Sequence, residues 1–342
     1  MELNIAQTKQ AVQQAIEAGL VPRVLSAPGV GKSTIVKQIA KEGNLELIDV
    51  RLAQCEPTDL LGLPNISGER ATYLPMDIFP LEGDELPKGK NGWLLFLDEL
   101  SNANVHVQHA AYRIILDKEV GNHKLHKNCY IVAAGNREED NCFVQPTSAA
   151  LITRMVTIHT TVQKDTWIDW ANASGIDPRI TAFIEFSPDS LNQKEKPKKE
   201  ESFACPRTWE FANKIIQGKK DINDIITKTL LEGILGKGTA LNFTNFTEHF
   251  SKIAKYSEVI ADPMLAKVPR QSEMALQYAT VGMLVGNFDI KDTDPVMNYL
   301  ERLDTEFQMV FVKSMIKRCP QIITHKRLQP WTGKIANMMR GV

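Results

Sequence analysis

Ile5, Val12, Ile16 and Leu20 recur at helical intervals among polar neighbours and predict an amphipathic helix that closes near Gly19. Pro22, Arg23, Val24 and Leu25 then read as a strand, and residues 45–52 as a second. Trp93, Leu94, Leu95, Phe96 and Leu97 form a continuous apolar run ending in Asp98 and Glu99, the pattern of a strand buried on both faces with its acidic tip at the carboxyl edge. Residues 129–134 predict a further strand that ends in Gly135 and Asn136, and residues 149–156 place a lone arginine, Arg154, at the start of another strand-like run. Strands alternating with helices imply parallel pairing through right-handed crossovers, hence a three-layer α/β domain over residues 1–162.

Beyond Thr161 the periodicity becomes helical only. Trp167, Trp170, Ile180, Phe183 and Ile184, and later Met297, Leu300, Leu303, Phe307 and Val310, recur every three or four residues and predict the core of an all-helical region over residues 163–342. The run Lys194-Glu195-Lys196-Pro197-Lys198-Lys199-Glu200-Glu201 interrupts it as a solvated loop, and Met338 and Met339 suggest a helical tail. In the first half, residues 54–92 carry Pro57, Pro64, Pro75, Pro80 and Pro87 and are too long for an ordinary connection, which points to a functional or disordered segment.

Composition narrows the field. A chain of 342 residues exceeds a single core, and 43% hydrophobic content suffices to bury two. A net charge of −1 lacks the broad positive field of a nucleic-acid binder, so nucleic acid is not the expected partner, a local basic lining of a pore aside. Cys55, Cys129, Cys142, Cys205 and Cys319 are odd in number and contain no Cys-x-x-Cys pair, which favours reduced thiols over disulfides or zinc and indicates a cytoplasmic protein. The polar amino-terminal helix has no signal-like apolar core, and no apolar run approaches the ~20 residues of a membrane span.

The candidate chemistry begins at Ser26-Ala27-Pro28-Gly29-Val30-Gly31-Lys32-Ser33-Thr34, which follows a predicted strand and opens a helix. In that context the glycines let backbone N–H groups turn inward, the lysine reaches the outer phosphates, the Ser33 hydroxyl enters a magnesium shell, and the helix adds its positive end. The full pattern has glycine where this chain has Ser26. Asp98 is the expected magnesium partner and Glu99 the general base for hydrolysis, since ligands collect beyond the carboxyl ends of such strands. Asn136, at the end of a neighbouring strand, is placed to contact the γ-phosphate or the attacking water. Arg154 has the chemistry to stabilise a transferring phosphoryl group. His106 with His109, and His123 with His126, have metal-like spacing but lack the further ligands of a site, and read as surface or packing residues.

Together these motifs resemble the AAA+ ATPases, and within them the MoxR-like group, in residues 27–34, 94–99, 133–137 and 151–155 and in Cys205-Pro206-Arg207-Thr208-Trp209-Glu210. The segment Gly135-Asn136-Arg137-Glu138-Glu139-Asp140 looks particularly MoxR-like. The resemblance implies an AAA+ P-loop domain followed by a helical lid, binding ATP and Mg2+ and assembled as a homo-oligomeric ring, usually a hexamer, that remodels a protein client. It casts Asn136 as the sensor-one residue, Arg154 as the finger acting on the next subunit's ATP, and Arg207 as the sensor-two arginine of the lid. It also implies an inserted hairpin facing the ring's pore, for which residues 63–73 are the candidate, with residues 118–128 a second hairpin. Partners in such systems often carry a von Willebrand factor A domain. Ser26, and Met155 where an aromatic is usual after the finger, depart from the family pattern. The competing readings are a nucleic-acid motor or restriction-type component built on the same core, and a scaffold that binds nucleotide without turnover. Intact Glu99, Asn136 and Arg154 weigh against the scaffold. No Asn-Lys-x-Asp or Thr-Lys-x-Asp string follows the core, so guanine specificity is not expected.

Overall fold

The computed structural model describes residues 2–66, 71–137, 145–193, 201–328 and 331. The chain divides into two compact units, Met1–Val162 and Gln163–Val342. The 138–140 part of the MoxR-like segment, Cys142, residues 194–200 of the charged run and the methionine tail lie outside the described residues.

The first unit opens with α1 (Ile5–Glu17), started by a capping box in which Asn4 and Gln7 each accept the other's backbone N–H. Its buried face is Thr8, Val12 and Ala15, whereas Leu20 lies past the helix end and is 53% exposed, contrary to the expected stripe. There follow β1 (Val21–Leu25), α2 (Lys32–Glu42), β2 (Glu46–Arg51), α3 (Pro57–Leu61), β3 (Leu63–Asn65), β4 (Thr72–Leu74), β5 (Trp93–Asp98), α4 (Val105–Asp117), β6 (Glu119–Val120), β7 (His123–Lys124), β8 (Cys129–Gly135), α5 (Ala149–Ile152) and β9 (Met155–His159). Leu52 is not the end of β2, as its apolar character suggested, but begins a 3₁₀ turn. Residues 149–156 are not one strand either: Ser148 accepts the Leu151 N–H and starts the helical turn α5, and only Met155 onward joins the sheet.

Five strands pair in the order β2-β5-β8-β1-β9, all parallel. Each residue of β5 from Trp93 to Leu97 is buried because helices cover both faces of the sheet. Leu95 and Leu97 pack with Ile131, Ala133 and the α4 residues Val107, Ala111 and Ile114, while Leu94 and Phe96 pack with Val132, Ala134 and the α2 residues Ile35, Val36 and Ile39. At roughly 1.5–3 kcal/mol for each large apolar side chain removed from water, these two cores hold the strand tips in fixed register. The fold is thus the three-layer α/β arrangement that the alternation implied, with a helical region after it.

Residues 54–92 contain α3 and an antiparallel hairpin, β3 with β4, and β6 with β7 form a second. His123 brings a ring nitrogen to 3.0 Å from the Tyr73 carbonyl, joining the two hairpins. Leu63, Ile66, Tyr73 and Leu74 stay exposed on the first.

The second unit comprises α6 (Lys164–Ala173), α7 (Pro178–Phe186), α8 (Pro206–Ile216), α9 (Ile225–Leu235), α10 (Lys237–Thr247), α11 (Tyr256–Ala261), α12 (Met274–Asn287), α13 (Thr293–Leu300) and α14 (Thr305–Arg318), with no strand among its described residues. Phe183, Trp209, Phe243 and Phe246 pack ring against ring at its centre, and Trp209 satisfies its buried indole N–H on the Ser190 carbonyl at 2.8 Å. Of the apolar positions expected in this core, Trp167, Ile180, Phe183, Ile184, Met297, Leu300, Leu303 and Phe307 are buried, while Trp170 and Val310 are half-buried at its margin.

Candidate nucleotide site

Register sets the site. Leu25 of β1 stands beside Gly135 of β8, and Leu97 of β5 beside Ala133, so three strands deliver their tips to one edge of the sheet. The turn leaving β1 passes through Gly29 at φ 77° and Gly31 at φ 104°, left-handed conformations that side chains rarely adopt. Gly31 is also the N-cap of α2 and brings no side-chain acceptor to its first turn, the arrangement that leaves helix N–H groups for an anion. Ala27 and Val30 are buried beneath the loop, Pro28 is half-buried, and Thr34 is exposed on the helix.

Lys32 is held from several sides. Its Nζ donates to Ser26 O at 3.0 Å, Ser26 Oγ at 3.2 Å, Ala27 O at 3.3 Å and Asn136 Oδ1 at 2.9 Å. Ser33 Oγ donates to Asp98 Oδ2 at 3.1 Å, while Asp98 Oδ1 accepts the Glu99 N–H at 2.8 Å, so the carboxylate is oriented from both ends. The phosphate-loop residues and the tips of β5 and β8, separated by up to 104 positions in sequence, meet in one half-buried cluster. These are the groups of a candidate phosphate site.

Glu99 follows with φ 59° and ψ 29°, a left-handed conformation that costs a non-glycine residue roughly 1 kcal/mol or more and marks positions where function holds the backbone. One residue whose contact sequence reading missed, and one it overlooked altogether, complete the cluster. Ser26, fully buried, is a second anchor for Lys32 rather than a mere departure from glycine. Asn102 accepts from Asn136 Nδ2 at 3.0 Å. The only sequence signal for Asn102 is a polar residue three positions after a strand-tip glutamate, which is where a tight turn would bring it back to the strand ends.

A magnesium nucleotide fits these donors. The Ser33 hydroxyl and the Asp98 carboxylate are hard oxygen ligands already within 3.1 Å of each other, and Lys32 supplies the point charge that outer phosphates need.

Arg154 is elsewhere. Met155 pairs with Val21, whereas Leu25 pairs with His159, so Arg154, one residue before Met155, sits at the amino edge of the sheet, about six residue steps or roughly 20 Å along the strand direction from Ser26, where its own phosphate loop begins. It is exposed, on the turn between α5 and the edge strand β9, donating from Nη1 to Ala150 O at 2.7 Å with its guanidinium 5.1 Å from the centre of the Tyr112 ring. Arg23, buried in β1 with its guanidinium pKa lowered by that burial, donates to Thr147 Oγ1 at 3.1 Å and ties the segment leading into this turn to the sheet.

Arg207 lies in the second unit, exposed in the first turn of α8, where Pro206 occupies the first helical position. A cation at the positive end of a helix is unfavourable by a few tenths of a kcal/mol to about 1 kcal/mol, so helix stability does not explain it. Glu210, three residues on, has its carboxyl pKa raised by burial, an effect that Lys214 and Arg207 oppose.

The four described cysteines are unpaired, and burial pushes the Cys129 thiol up to about 12, where it stays protonated. His106 and His109 are exposed on α4, His126 packs edge-on against Trp93, and no group of three or more potential metal ligands occurs among the described residues. No described helix is long and apolar enough to cross a membrane.

No family profile and no curated protein matches the chain. Among solved structures it is similar to a proposed ATPase from Cytophaga hutchinsonii, at 14% identity over 91% of this chain and 81% of that one with a TM-score of 0.36. It is also similar to the Thermotoga maritima RuvB Holliday junction branch migration motor, at 16% identity over 91% and 74% with a TM-score of 0.34. A third similar structure is NtrX from Brucella abortus, at 11% identity over 92% and 68% with a TM-score of 0.36. Matches of this strength carry no function over to the chain.

Proposed function

We propose that the protein is an AAA+ ATPase of the MoxR-like type, hydrolysing ATP within a homo-oligomeric ring to remodel a partner protein. The observation that carries the ATPase reading is the convergence of Lys32, Ser33, Asp98 and Asn136 through direct hydrogen bonds at one sheet edge. Lys32 and the loop N–H groups bind and orient the triphosphate; Ser33 and Asp98 hold magnesium, whose charge, when bound, offsets that building on the phosphate oxygens. Glu99, one residue beyond Asp98, takes the proton of the attacking water, with Asn136 beside it to position that water.

Arg154 completes the site of a neighbouring copy. Its place at the far edge of the sheet keeps it from the phosphates of its own chain, and its exposure leaves it available to another. The role of Arg207 as the lid's arginine follows from the resemblance of its motif alone. The MoxR-like assignment rests on the resemblance of the motifs, with the β3–β4 and β6–β7 hairpins as the elements that meet the client. Client recognition through a partner with a von Willebrand factor A domain follows from that resemblance alone.

The test is steady-state phosphate release by the purified chain with Mg2+ and either ATP or GTP, alongside titration of a labelled oligonucleotide at two salt concentrations. The expected result is ATP turnover that stops on chelation of magnesium, with no salt-dependent nucleic-acid binding. Absence of turnover at any protein concentration overturns the reading as a hydrolase, and tight, salt-sensitive oligonucleotide binding overturns the protein-remodelling half of it.

A further inference from the structure

Asn136 is held by both ends of its amide. Its Oδ1 accepts from Lys32 Nζ at 2.9 Å and its Nδ2 donates to Asn102 Oδ1 at 3.0 Å. An ammonium group only donates, so the amide atom facing Lys32 must be oxygen and the NH2 must face the other way. Asn102 meets that NH2 with an oxygen. Lys32 therefore settles the orientation of a group whose ends are otherwise interchangeable, and Asn102 presents the matching acceptor to the other end.

Asn102 is itself placed by the turn after Asp98. Its backbone N–H donates to Glu99 O at 2.9 Å, closing the 3₁₀ turn Leu100–Asn102 directly behind the left-handed Glu99. This turn lies against the end of β8. A Cβ on Gly135 would fall 1.9 Å from Ser101 Oγ, so the approach is possible only because the residue before Asn136 is glycine. The Ser101 carbonyl also accepts the Gln145 N–H at 2.7 Å, fastening the turn on its other side. The residue that bears the candidate base and the residue that orients Asn136 thus belong to one short, fixed turn.

We infer that Asn102 is a positioning residue of the hydrolytic site: by accepting from Asn136 Nδ2 it keeps the Asn136 oxygen turned toward the phosphate loop, where Asn136 acts as a hydrogen-bond acceptor. An amide oxygen has two lone pairs, and Lys32 uses one. The other accepts an O–H of the attacking water while Glu99 takes the proton that leaves, which aims the water's own lone pair at phosphorus. With the amide reversed, Asn136 would offer a donor there, and that would hold a phosphate oxygen but not orient a water proton. The inference rests on the ATPase reading above.

The experiment compares the full chain with Asn102→Ala and Asn102→Asp, each alone and combined with Asn136→Ala, by phosphate release and by calorimetric ATP binding. Asn102→Ala is expected to lower kcat roughly 10- to 100-fold, as loss of a group that orients a working residue typically does. ATP affinity should stay within about two-fold, since the lost interaction acts on turnover and not on ground-state binding. Asn102→Asp should recover most of the rate, because a carboxylate oxygen accepts the same bond, and the Asn102→Ala change should cost nothing further once Asn136 is alanine. Equal losses in both Asn136 backgrounds, or a fall in affinity that matches the fall in kcat, would overturn the assignment while leaving the ATPase reading intact. A wild-type chain without turnover would remove both.

Discussion

The two edges of the sheet are finished in opposite ways. At the carboxyl edge Asn136 bonds to both Lys32 and Asn102, Ser33 bonds to Asp98, and all five are half-buried in their own chain. At the amino edge Arg154 stands exposed, in contact with its own helical turn and the face of Tyr112. One edge gathers a cluster of hydrogen-bonded donors and acceptors; the other presents a cation on the turn that precedes the edge strand. The difference teaches that Arg154 cannot reach the carboxyl-edge cluster of its own copy, so the proposed role of this arginine requires a second subunit.

The largest expected effect tests the finished edge. Lys32→Ala removes the charge proposed to meet the phosphates, and with two charge-assisted hydrogen bonds at about 1.5–3 kcal/mol each, ATP affinity should fall roughly 10²- to 10⁴-fold and turnover should be lost with it. Calorimetry showing unchanged affinity would mean that the carboxyl edge does not bind phosphate. Arg154→Ala tests the other edge. ATP binding should persist while hydrolysis falls on the order of 10³-fold, the scale of an arginine supplied in trans. Mixing this variant with Glu99→Gln protein should restore part of the rate, because an interface can then pair an intact base with an intact arginine. If no mixing ratio restores activity, the contrast between the edges is structural and the two-chain site fails.

Much of this was legible before any coordinates. The phosphate loop and the run from Trp93 to Glu99 were readable because glycine at left-handed positions and an unbroken apolar strand leave few alternative conformations. Asn136 was readable because parallel register carries the end of β8 to the same edge as Asp98. Asn102 was not, since it lies in a three-residue 3₁₀ turn with no periodicity, and its value depends on a partner 34 positions away. The left-handed Glu99 was equally hidden, because nothing in the residue type announces it. For Arg154 the sequence supplied the residue but misjudged its surroundings: the apolar run around it splits into a capped helical turn and a strand, and it is this turn that lifts the arginine out to solvent.

Glu99→Gln comes next in size and separates binding from chemistry at the finished edge. Glutamine keeps the volume and the backbone turn but cannot take a proton, so kcat should drop about 100-fold or more while ATP affinity holds. Retention of the steady-state rate would remove Glu99 from the role of base and leave Asp98 or another group to be found. Bound ATP on this variant would also be long-lived, which makes it the form in which to test for the proposed client.

The smallest effect concerns Ser26, the one place where the loop itself departs from its pattern. Its hydroxyl is fully buried, sits 3.2 Å from Lys32 Nζ and donates to Ala27 O at 3.0 Å, so it helps hold the ammonium against the loop. Phosphate must draw Lys32 away from that hold, and the hydroxyl therefore opposes nucleotide binding by a fraction of a hydrogen bond. Ser26→Gly deletes it and leaves the Ser26 carbonyl contact, which any residue provides. With a net hydrogen bond worth about 1 kcal/mol, ATP should bind up to roughly five-fold more tightly. The added backbone freedom of glycine works in the opposite direction on stability, by about 0.5–1 kcal/mol, so a slightly lower melting temperature should accompany the tighter binding. Weaker ATP binding in the glycine variant would show instead that the serine hydroxyl shapes the cradle for phosphate, and the finished edge would then owe part of its order to the residue that departs from the pattern.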